Sequence, residues 1–188
     1  CMTGEEEVSQ NLRGLEEELR AAALNLTAAA LKASAEQIVE DDEAIAAKAE
    51  DEPAIGGRDS MKAAMKLSTL LETALRKGVL LNHDSIKFAR ATIVNLKGES
   101  IRREAKAMIH ASEEVYRKQG YIPDAATNCA DKVEHMINLA VEQGIPRAHP
   151  KLTAAWNASK ELREQEGWRK REANAAKRRA ERANTMPV

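Results

Sequence analysis

The chain has 188 residues, of which 43% are apolar, 31% charged and only 3% aromatic, so helix formers dominate and sheet architectures are excluded. Two cysteines in a chain this long exclude a disulfide framework. The formal charge of −1 conceals a polarised chain: residues 1–58 hold fourteen acidic and five basic side chains, residues 147–188 eleven basic and five acidic.

No apolar run approaches the roughly eighteen residues a membrane-spanning helix needs, and no charged-then-apolar leader is visible. The expected protein is soluble, cytoplasmic or part of an intracellular or virion assembly. Cys1 ahead of Met2 fits an added residue or a processed end better than the lipid-bearing cysteine of a bacterial lipoprotein.

The expected fold is all-α: a long N-terminal coiled-coil-like helix, a helical bundle and a protruding basic C-terminal helix. In chain order, Thr3 and Glu6 stand at capping-box spacing and start a helix near Glu5. From Val8 the apolar positions run Val8, Leu12, Leu15, Leu19, Ala22, Leu26, Ala29 and Ala33, the heptad rhythm of a helix seam. A second stripe, Leu24, Ala28, Leu31, Ala35, Ile38, Asp42, Ile45 and Ala49, overlaps it and offers a different face. An uninterrupted helix of about 45 residues spans roughly 65 Å, whereas a globule of this length has a radius of gyration near 16 Å. Asn25-Leu26-Thr27 is its weakest place for a break. Self-association or an extended partner is therefore expected, with Val8, Leu12, Leu15, Leu19, Leu24, Leu26, Leu31, Ile38 and Ile45 as the partner-helix seam.

Residues 51–58 read as a linker dividing this arm, 1–50, from a helical body, 59–149. Asp59 or Ser60 is expected to cap a second helix over 60–77, with Met61, Ala64, Met65, Leu71, Ala74 and Leu75 inward and a stop at Gly78. Val79-Leu80-Leu81 then reads as a buried connector. Asn82 or Asp84 caps a third helix carrying Ile86, Ala89, Ile93 and Leu96, and Gly98 either kinks it or separates it from a fourth, 100–119. Pro123 suits a first helical position; Ala126, Cys129, Val133, Met136 and Ala140 form the next stripe, ending at Gly144-Ile145-Pro146.

Pro150 opens the last segment, 150–188, whose packing face Leu152, Ala155, Trp156, Ser159 and Leu162 gives way beyond Gly167 to cations. Arg169, Lys170, Arg171, Lys177, Arg178, Arg179 and Arg182 are candidate contacts to nucleic acid or an acidic partner, set against the plainer reading of a solvated helix end.

Other clusters are weaker. Asp131, Glu134 and His135 near Cys129 have metal-like spacing without a second ligand set, and His110 with Glu113 and Glu114 is no better, so no metal is expected. No phosphate loop, nucleophile elbow or dinucleotide fingerprint appears, so neither an enzyme, a cofactor nor a small-molecule ligand is expected. Leu96-Lys97-Gly98-Glu99-Ser100, following Ala89 and Ile93, resembles the signature of histidine phosphotransfer domains, which are helical bundles. Val94 stands where that family has its phosphorylated histidine, so the resemblance implies a bundle without the acceptor.

The functional expectation is a non-enzymatic structural subunit, a scaffold or adaptor, binding itself or other helical subunits through Ala/Leu seams. The alternative is a nucleic-acid-binding oligomer, organised like phage DNA-packaging or scaffolding subunits, that uses the basic C-terminal helix.

Overall fold

The computed structural model describes residues 4–49 and 58–184. Five helices make up this part: α1 Gly4–Ala49, α2 Arg58–Arg76, α3 Asp84–Gln119, α4 Ala125–Glu142 and α5 Pro150–Asn184. The all-α expectation holds, and no strand occurs among the described residues. The Thr3 capping box and linker residues 51–57 lie outside them, and Arg58 already belongs to α2.

Two compact units emerge, one drawn from Cys1–Ile45 and Lys62–Val94, the other from Ala46–Met61 and Asn95–Val188. In the first unit α1 passes unbroken through Asn25-Leu26-Thr27, and the Thr27 hydroxyl donates back to the Ala23 carbonyl at 2.9 Å. Ala28, Leu31, Ala35 and Ile38 of α1 are buried, as are Ala64, Leu67, Leu71 and Ala74 of α2 and Ile86, Ala89 and Ile93 of α3. Met65 is exposed instead of facing the core, and Leu67 takes the inward position.

Gly78 ends α2 in the left-handed conformation, φ 97°. Its N–H donates to Leu75 O at 3.0 Å, and the Val79 N–H to Ala74 O at 3.1 Å, the paired bonds of a Schellman stop. That motif buries Val79 alone. Leu80 and Leu81 point outward, correcting the buried connector, because the turn closed by His83 N–H to Leu80 O carries them away from the core. The α3 cap is neither Asn82 nor Asp84: His83 Nδ1 accepts the Ser85 N–H at 3.2 Å, the bond an N-cap side chain makes.

In the second unit Ser60 is not a cap either, since α2 has begun before it; it is fully buried and accepts Arg103 Nη1 at 2.8 Å. Helix α3 continues through Gly98, so the two helices expected there are one. A glycine is needed for close approach: a Cβ at this position would lie 2.9 Å from His149 Cε1 and 3.0 Å from Nδ1. The ring cannot easily yield, because His149 Nδ1 accepts the Lys151 N–H at 3.3 Å and caps α5. Gly98→Ala, which in an open helix gains about 1 kcal/mol, is expected here to overpack and lower stability by about 1–2 kcal/mol, read as a fall in urea midpoint at unchanged m.

Helix α4 packs on α5. Ala126, Ala130, Val133, Ile137 and Ala140 are the buried stripe of α4, so Cys129 and Met136 sit at its edge, half-buried. The α5 face of Leu152, Ala155, Ser159 and Leu162 is buried as expected. Gly144 and Ile145 repeat the Schellman pair, with Ile145 buried. Pro123 precedes the N-cap Asp124, whose φ of 61° is left-handed, and so does not occupy the first helical position.

Candidate interaction sites

The two stripes of α1 have opposite fates. At 100° per residue they lie roughly 160° apart on the helix, nearly back to back. The stripe containing Leu24, Ala28, Leu31, Ala35, Ile38, Asp42 and Ile45 is buried or half-buried throughout, so Leu24, Leu31, Ile38 and Ile45 of the expected seam are engaged inside the chain. The other stripe faces outward. Leu12, Leu15, Leu19 and Leu26 are 57%, 56%, 70% and 72% exposed, and Ala22, Ala29 and Ala33 between and beyond them are exposed too. Val8 continues this stripe within α1, its side chain outside the described residues. Leu26 also lines a groove of about 320 Å³ with Leu31, Leu70 and Ala74.

The basic residues of α5 divide as well. Arg169 is turned inward and only 7% exposed: Nη1 donates to the Ser112 hydroxyl at 2.8 Å, Nη2 to Gln165 Oε1 at 3.1 Å, and the guanidinium lies 4.6 Å from the Tyr116 ring centroid. The Tyr116 hydroxyl donates to Glu172 at 2.6 Å, and Trp168 meets the Tyr116 ring edge-on. The bond to Glu172, then burial and the charge of that carboxylate, raise the Tyr116 phenol above its ordinary value. Lys170, Arg171, Lys177, Arg178, Arg179 and Arg182 are all exposed.

The carboxylates with metal-like spacing are engaged with cationic or hydroxyl side chains. Glu134 accepts from the Ser159 hydroxyl and from Arg163, which also reaches Asp131 at 2.8 Å. The Ser159 bond and the Arg163 charge, against burial, lower the Glu134 carboxyl. Glu114 holds Arg117 and Lys118, while His110 stands 3.9 Å from Glu113. Among the described residues no three His, Cys, Asp or Glu side chains converge as metal ligands, and no helix is long and apolar enough to cross a membrane.

Three further features belong to the second unit. Glu99 is buried and accepts from Arg102, from Arg103 Nε at 3.0 Å and from Lys151 Nζ at 2.7 Å. Burial opposes ionisation there, but the hydrogen bonds and charges of Arg102 and Lys151 outweigh it and hold the carboxyl at about 2. Glu166, 8% exposed, accepts from the Tyr121 hydroxyl at 2.9 Å and from the backbone N–H groups of Asp124 and Ala126 at 3.0 and 3.2 Å. It thereby caps α4 from α5, the role that Asp124 leaves unfilled. A groove of about 310 Å³ is lined by Met61, Ile101, Met136 and Leu139 with Arg58, Lys97 and Glu104.

The buried charges do leave one trace in the sequence. The α5 stripe Ala155, Ser159, Leu162 continues in steps of four and three to Glu166 and Arg169, and the α3 stripe Ile93, Leu96 continues to Glu99 and Arg103. Charged residues that stay in step with an apolar stripe are candidates for buried networks.

No protein-family model, curated protein or solved structure matches this chain.

Proposed function

We propose that the chain is a non-enzymatic assembly subunit that pairs with a second copy of itself along the outer stripe of α1. The supporting observation is the pattern of exposure: seven consecutive heptad positions from Leu12 to Ala33 are uncovered, while the opposite stripe of the same helix is packed. Four leucines on one face of an unbroken helix form a surface that hydrophobic burial favours covering. A second copy suits the stripe because it is self-complementary, with leucine recurring at Leu12, Leu19 and Leu26 as every seventh residue. No like charges face each other directly at the seam. In a parallel seam Glu18 of one copy falls beside Ala23 of the other, and Asn25 beside Ala30, so the exposed acidic run is not set against itself.

Leu19→Ser tests the proposal. A leucine of this exposure contributes about 1–2 kcal/mol on burial, and a symmetric pair loses it twice, so self-association is expected to weaken about 30- to 1,000-fold. Sedimentation equilibrium across a concentration series reads the change, and circular dichroism checks that helicity persists. A wild-type chain that remains monomeric at about 100 µM, where even a weak specific dimer populates, defeats self-pairing.

A further inference from the structure

We infer that the outer face of the C-terminal part of α5 is a binding site for the phosphate backbone of duplex nucleic acid. The inference stands on its own observations and does not require α1 to pair. Lys170, Arg171, Lys177, Arg178 and Arg182 follow the spacing i, i+1, i+7, i+8, i+12 and therefore share one face about 140° wide and roughly 18 Å long. All five are exposed. Arg169 of the same turns is turned inward against Ser112 and Tyr116, and Glu172, exposed but off this face, accepts from the Tyr116 hydroxyl, so one carboxylate that would offset the cations is directed elsewhere. Only Asn174 and Glu181 lie among the five.

The composition of this face selects its ligand. It carries no apolar side chain, whereas a protein interface needs a charge-poor apolar centre to gain affinity. Backbone binding to a duplex needs cations alone, drawing its free energy from released counterions, and a single helix fits the major groove. Asn174, central on the face, adds a group able to contact phosphate or a base edge. The resulting contact is weak in sequence preference and strongly dependent on salt.

The test uses the full chain and a fluorescein-labelled mixed-sequence duplex of about 20 base pairs, titrated by anisotropy at about 50 and 200 mM salt. Four to five phosphate contacts, the lower number if Arg182 keeps its own interaction, predict a slope of about −3.6 to −4.5 in log affinity against log salt, a loss of roughly 150- to 500-fold over that range. Arg178→Gln is expected to reduce the slope by about 1 and Arg147→Gln, an exposed cation outside the face, to leave it unchanged. The variant K170Q/R171Q/K177Q/R178Q/R182Q should lose binding while keeping its helical circular dichroism. Deletion after Gly167 is a poorer probe, since it also removes Trp168, Arg169 and Glu172 from their contacts with Ser112 and Tyr116 of α3. Absence of binding at the lower salt, an unchanged slope in the quintuple variant, or labelled poly-L-glutamate bound as tightly as the duplex would each overturn the assignment.

Discussion

Replacing Glu99 by alanine is expected to destabilise the protein by about 3–5 kcal/mol, the range seen when one member of a buried ion pair is removed. The carboxylate is the common acceptor for Arg102, Arg103 and Lys151, and its loss strips an anionic partner from the buried Arg103 guanidinium, which also donates to the neutral Ser60 hydroxyl. Urea unfolding followed at 222 nm measures the change, and an effect under about 1 kcal/mol would show that the cluster is solvated and of little consequence. The same group sets a response to acid. Its folded value of about 2 lies below the ordinary 4.5, so its contribution is fully present above pH 4.5 and disappears as pH falls through 2. The difference corresponds to about 3 kcal/mol lost across that window. Glu134, also lowered, acts in the same direction. Glu99→Gln should flatten the acid limb of the stability profile while costing less than alanine at neutral pH, because an amide retains an acceptor for one of the cations.

Glu166→Ala is expected to have the next largest effect, about 2–3 kcal/mol. Three donors lose their acceptor at once: the backbone N–H of fully buried Ala126, whose loss costs about 1–3 kcal/mol, and the N–H of exposed Asp124 and the hydroxyl of half-buried Tyr121, which can turn to water. Helix α4 has no side-chain cap of its own at Asp124, so no local group can substitute. Hydrogen exchange distinguishes this from general loosening: amides in the first turn of α4 should lose protection before those near Leu139 and Val141, which remain fastened at the Gly144 stop. Glu166→Gln, able to accept one backbone bond, should recover part of the loss.

Helix stops were legible in the sequence, as was the start of α5 at Pro150, but the groups that cap the starts were not. Gly78 and Gly144 mark their ends because the left-handed residue must be glycine and the following apolar residue must be buried, a requirement satisfied within a few neighbouring positions. The starts of α3 and α5 use histidine acceptors, His83 and His149, which fall outside the usual set of capping residues, and α4 uses a glutamate some forty residues further along the chain. No local window contains that last partner. The two stripes of α1 were legible as a pair, but apolarity alone does not say which faces inward: the outer stripe is the richer in leucine, and the inner one is buried because alanine at positions 28 and 35 permits close approach. Asp42, Glu99, Arg103, Glu166 and Arg169 read as surface charge by residue type; their step with apolar stripes marks them for burial, but the partners that make burial possible come from other turns and helices.

The back-to-back arrangement of α1 also separates two kinds of change. Edits at Leu12, Leu15, Leu19 or Ala22 change exposed side chains only, whereas edits at Leu31, Ala35 or Ile38 change the packed face that holds the helix. Under the proposed pairing, recognition along one side of this helix is open to rewriting by substitution, independently of the residues that keep it folded.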